Sequence, residues 1–85
     1  MKTFEDLKFK PHPIGNGVAA RFSFENGYGV SVVKFDGSYG FKHGLFELAV
    51  LKGDSICYST EITGDVIGYL SQGDVTDLMA KVQSL

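Results

Sequence analysis

VAARFSFENGYGVSVVK, residues Val18 to Lys34, reads as a β-hairpin, and its reading decides the fold. Two runs of alternating apolar and polar residues meet at Asn26-Gly27, a dipeptide that tolerates positive φ and marks hairpin turns. In the first run Val18, Ala20, Phe22 and Phe24 share one face, and Ala19, Arg21, Ser23 and Glu25 share the other. The turn length follows from the pairing it imposes. A two-residue loop sets Glu25 opposite Tyr28 and Phe22 opposite Ser31. A three-residue loop, Glu25-Asn26-Gly27, sets Phe24 opposite Tyr28, Phe22 opposite Val30 and Ala20 opposite Val32. Only the longer loop keeps apolar residues opposite one another, and a one-residue slip moves a whole face to the wrong side. The sequence therefore predicts the longer turn, with a bulge at a left-handed Gly27.

Downstream, FDGSYGFKHG (35–44) reads as a mobile loop with three glycines at 37, 40 and 44 and three aromatics. LFELAVLK (45–52) is apolar on both faces apart from Glu47, the pattern of a central strand covered on each side. Gly53-Asp54 turns the chain into SICYST (55–60), a strand with Ile56 and Tyr58 on one face and Cys57 on the other. EITGDVIGYL (61–70) reads as a short extended segment. From Ser71 a helix is expected: Ser71 is a good N-cap, and Asp74 at the third helical position completes a capping box. Val75, Leu78, Met79, Val82 and Leu85 fall on one apolar stripe. Upstream, TFEDLKF (3–9) supports one or two helical turns with Thr3 and Asp6 as a capping pair. Pro11 and Pro13 end them and leave 10–17 as a connector.

These elements predict an α+β fold, an antiparallel β-meander of four to five strands with one C-terminal α-helix packed on a sheet face. The 85 residues read as a single domain: an N-terminal turn and connector (1–17), the sheet (18–70) and the helix (71–85). Val30, Val32 and Leu45 look too many for one helix to cover. Self-association or partner binding through an apolar sheet face or edge is therefore expected.

Composition narrows the function classes. The chain has one cysteine, Cys57, so no internal disulfide forms, and an intracellular, reducing compartment is expected. The N-terminus carries no apolar signal segment, and no apolar run approaches the ~20 residues of a membrane span. Net charge is −2 and unevenly placed. Residues 1–43 hold six cations against four carboxylates, and residues 44–85 hold two against six. An acidic half disfavours general nucleic-acid binding and leaves room for a basic partner surface.

No catalytic constellation stands out, and a non-enzymatic protein without metal or cofactor is expected. His12 and His43, the only histidines, lack the spacing of a metal site. Cys57 lies inside a strand with no cation beside it in sequence, as a buried inert thiol would. The glycines flank strands and lack the Gly-Lys-Ser/Thr of a phosphate loop, so they read as turn and bulge residues. Glu47, Glu61, Asp65 and Asp74 read as solvated surface, with Glu47 the exception because it interrupts an apolar strand. The loop 35–44 is the informative candidate. Tyr39, Phe41, Lys42 and His43 join aromatic and cationic groups in a glycine-rich segment, a composition suited to hot-spot contacts with a partner. Tyr39, Lys42 and His43 are expected to be more exposed than Phe35, whose folding back into the core is the competing reading.

The strings FENGYGVSVVKFDGSYG (24–40), GLFELAVL (44–51) and ITGDVIGYLSQGDVTDLMAKVQSL (62–85) resemble a group of small accessory proteins of tailed bacteriophages. The resemblance covers most of the chain from about residue 18 onward. It brings no activity with it, so no functional residue transfers. It implies a protein made in the cytoplasm of an infected bacterial host that binds a host protein, with inhibition of a defence system as one form. A small-ligand or nucleotide-binding module built on the 35–44 loop is the alternative.

Overall fold

The computed structural model describes residues 1–12, 16–53, 55–57 and 66–85. It is an α+β fold. The strands are β1 (Lys10–Pro11), β2 (Gly17–Ser23), β3 (Tyr28–Phe35), β4 (Phe46–Lys52), β5 (Ser55–Ile56) and β6 (Val66–Leu70), followed by the helix α1 (Gln72–Gln83). All pairings are antiparallel, and β1 to β5 lie in chain order. β5 and β6 follow one another along the same edge of β4: β5 pairs with Leu51 and Lys52, β6 with Phe46 to Ala49.

The hairpin of β2 and β3 has the register set by its apolar residues. Phe22 stands opposite Val30 and Ala20 opposite Val32. The Phe24 N–H donates to the Tyr28 carbonyl at 2.7 Å, and the Gly27 N–H to the Phe24 carbonyl at 3.2 Å. Gly27 takes φ of 87°, the left-handed conformation that closes a three-residue turn. Asn26 does more than turn the chain. Its Oδ1 accepts from the Tyr28 N–H at 3.1 Å, and its Nδ2 donates to the Val82 carbonyl at 2.9 Å, near the end of α1.

Val30 and Val32 pair across β3 and β4 with Val50 and Leu48, and all four are fully buried. Val75, Met79 and Val82 of α1 cover them, also with no exposure. Phe4, Phe9 and Phe46 close one end of this core with ring centroids 5.1 to 5.6 Å apart. Val30 and Val32 are covered by more than the one helix, so the expectation that they leave an apolar face open is corrected. The N-terminal aromatics and Leu7 share the task with α1, so this face of the sheet is closed. Leu45, the third residue of that argument, is half-buried.

The N-terminal turn is the expected single turn, of 3-10 form, Phe4–Asp6, with Thr3 and Asp6 as its capping pair: the Asp6 carboxylate accepts from the Thr3 N–H at 2.8 Å. Two further details depart from the sequence reading. Lys10–Pro11 adds a short edge strand, which the prolines had argued against. Proline is tolerated there because an edge strand leaves one row of N–H groups unused. Leu85 falls beyond the helix and is 44 % exposed, and Leu78 is half-buried, so the fully buried stripe is Val75, Met79 and Val82. The strand expected over 55–60 is described only as Ser55–Ile56. Asp54, Tyr58, Glu61 and Asp65 lie outside the described residues, as do Pro13 and the start of the 61–70 segment.

Candidate functional site

The segment between β3 and β4 is folded onto itself. Ser38, the one buried polar residue among the described residues, reaches back to Phe35: its hydroxyl donates to the Phe35 carbonyl at 2.8 Å and accepts from the Phe35 N–H at 3.0 Å. A 3-10 turn, Phe41–His43, follows between the left-handed Gly40 and Gly44. Its N–H groups are used locally. His43 donates to the Gly40 carbonyl and Gly44 to the Phe41 carbonyl, both at 3.0 Å. The loop is also tied at both sides. The Asp36 N–H donates to the Asn16 carbonyl at 3.2 Å, and the Tyr69 N–H donates to the Tyr39 carbonyl at 3.4 Å.

That last contact brings in a residue from β6. Phe46 pairs with Leu70, and Leu48 with Ile67, so Gly68 and Tyr69 both stand opposite the single Glu47. This is a β-bulge, a device that re-aims a side chain at a strand's margin. Tyr69 has φ of 59°, alone among the described non-glycine residues in taking a positive value. It is 60 % exposed, as is Tyr39. The approach of loop and strand requires glycine. A Cβ on Gly68 would lie 2.3 Å from the Tyr39 Cβ, and one on Gly40 would lie 3.0 Å from the Tyr69 Cα.

The resulting patch has two exposed tyrosines, with the His43 ring 6.3 Å from that of Tyr69 and Lys42 exposed beside it. A shallow depression of about 240 Å³ lies among Tyr39, Lys42, His43 and Tyr69. Of the residues expected from sequence, Tyr39, Lys42 and His43 are exposed and gathered here, and Phe41 lines the same depression while half-buried. Phe35 is half-buried, its ring stacked on His12 at 3.9 Å and 12°, and it does not line the depression. Tyr69 was not foreseen. The signal available was Gly68-Tyr69 inside an apolar run, a glycine in a strand being a mark of a bulge or a close backbone approach.

Among the described residues, no three His, Cys, Asp or Glu side chains come together as a metal site would require. Cys57 is half-buried and packs against the core. Glu47 is half-buried on the sheet face away from α1, where it stands across from Val33. No helix among the described residues is long and apolar enough to cross a membrane. No protein family, curated protein or solved structure matches the chain.

Proposed function

We propose that this chain is a non-enzymatic binding protein that docks a protein partner on the patch formed by Tyr39, Phe41, Lys42, His43 and Tyr69. One observation carries the reading: two tyrosines, each 60 % exposed, are held side by side by a backbone hydrogen bond and a glycine contact. Large amphipathic rings on a rigid support lose little conformational freedom on binding, which is why tyrosine is enriched among interface hot spots. In the phage setting that the sequence resemblance implies, the partner is a bacterial host protein, with a defence component as one candidate.

The size of the depression favours this over the small-ligand reading. At about 240 Å³ it falls below the roughly 300–1,000 Å³ that usually bury a small molecule. Affinity capture from bacterial lysate tests the proposal, comparing wild type with the double variant Tyr39→Ala, Tyr69→Ala. A stoichiometric protein held by wild type and lost by a folded variant is expected. Equal retention by both, or a co-purifying small molecule in place of a protein, would refute it.

A further inference from the structure

The sheet face away from α1 carries a second surface. The alternation of β1 and β2 sends Lys10, Ala19 and Arg21 to this face, together with Ser31 and Val33 from β3. Lys8 joins them, and these residues enclose an open depression of about 560 Å³. Three features define it. Its rim has three exposed cations, Lys8, Lys10 and Arg21, and among the described residues no carboxylate lines it. Its floor is made of short side chains, Ala19, Ser31 and Val33. It is bounded on the β4 side by the row holding Glu47, which stands beyond Val33.

We infer that this groove binds an acidic peptide segment of a protein in extended form. The attraction is local. The chain is acidic as a whole, with a net charge of −2, yet three cations meet here with no lining carboxylate among the described residues, so the groove attracts what the rest of the surface repels. The shape of the groove selects among anions. The depression is an open dish, and a small molecule seated on it would keep more of its surface in water than ligand sites usually leave. Single-stranded nucleic acid takes exposed aromatic rings for base stacking. The one aromatic ring that lines the groove among the described residues, His12, has one face covered by the stacked ring of Phe35, which leaves a single face for a base. A peptide needs neither, because its carboxylates reach the rim while its backbone lies over the short side chains. Glu47 limits the footprint to the β1–β3 side. The groove is distinct from the Tyr39–Tyr69 patch and does not depend on it.

Fluorescein-labelled hexaglutamate and an oligothymidylate of matched charge, titrated at low salt by fluorescence anisotropy, provide the test. Hexaglutamate is expected to bind more tightly. The variant Lys10→Ala, Arg21→Ala should weaken it about fivefold to tenfold, the effect of losing two exposed charge contacts. Lys52→Ala, Lys81→Ala, which removes the same charge elsewhere, should change it less than about twofold. Amide shifts on adding hexaglutamate should centre on Ala19, Ser31 and Val33 and spare Ala49. Tyr39→Ala, Tyr69→Ala should leave hexaglutamate affinity intact, so this proposal and the docking patch fail separately. Absence of binding, tighter binding of the oligothymidylate, equal losses in the two lysine-containing variants, or loss in the tyrosine variant would each overturn it.

Discussion

Tyr69 occupies a conformation that an L-residue reaches only at a cost of about 1–2 kcal/mol, because its Cβ crowds the neighbouring carbonyl oxygen. Glycine at this position avoids that cost, and with a ring 60 % exposed little packing is lost. Tyr69→Gly should therefore keep the unfolding free energy within about 1 kcal/mol of wild type, the relieved strain offsetting the added freedom of the unfolded chain. Partner capture should fall in the same variant. Denaturant titration beside affinity capture separates the two, and a loss of stability beyond that range would show that the ring is structural. Asn26 behaves in the opposite way. Its amide serves the turn and the end of α1 at once, through Tyr28 and Val82. Asn26→Ala should destabilise by about 1–3 kcal/mol, the loss of three hydrogen bonds, with the Tyr28 N–H and the Val82 and Leu85 carbonyls. Both positions show what one residue's sequence context reveals. The Asn-Gly turn was legible because apolar pairing on either side admits one register. The bulge at Tyr69 was not, because two residues come to oppose one only after β6 has met Glu47.

Among the elements, α1 has the clearest chemistry at its start. The Ser71 N–H donates to the Asp74 carboxylate at 3.0 Å, and the Asp74 N–H to the Ser71 Oγ at 3.1 Å. The backbone bond from Ser71, and then its hydroxyl, hold the Asp74 pKa below the usual 3.8. A carboxylate lowered by folding stabilises the native state above its unfolded pKa, and the contribution disappears as pH falls through the lower, folded value. The stability gap between wild type and Asp74→Asn should accordingly be constant near neutrality and narrow below about pH 4. Urea titrations at several pH values would check this, and a gap unchanged at pH 2 would contradict it. Further along the helix, Met79 is fully buried against the sheet. Met79→Ala should cost about 2–5 kcal/mol, and Leu78→Ala less, because Leu78 is only half-buried. The helix stripe was readable from its period. Which member sits deepest was not, since that depends on the N-terminal aromatics sharing the same face. Strand β1 escaped notice for a related reason, as its two residues have no pattern of their own and are extended only by pairing with Ala19 and Val18.

For the molecule as a whole, sheet, helix and N-terminal segment share one buried cluster running from Leu7 to Val82. Unfolding should be a single transition, coincident by far-ultraviolet circular dichroism and by tyrosine absorbance. The loop rests on β6 through Gly68, so Gly68→Ala should displace Tyr39 and cost about 1–3 kcal/mol. An early tyrosine signal in that variant, ahead of the loss of sheet, would show the patch detaching while the core persists. The charge distribution at this scale was only partly legible. The basic character of the first half was visible in the sequence. Its gathering into one groove was not, because Lys8, Lys10 and Arg21 meet only when β1 pairs with β2.

The clasp between the N-terminal segment and α1 has a further bearing. The Lys2 N–H donates to the Gln83 Oε1, and the Gln83 Nε2 donates back to the Lys2 carbonyl, both at 2.8 Å. Asn26 draws the Leu85 carbonyl to the same place at 3.3 Å. The chain thus enters and leaves at the pole of the hairpin turn, while Tyr39 and Tyr69 lie at the opposite pole, beyond the Phe46 end of β4. Anything joined to either terminus, whether a tag, a tether to a solid support or a neighbouring segment of polypeptide, projects away from the tyrosines. The molecule is in effect a plug with its lead at the back, and it can be immobilised from either end with its contact face outward.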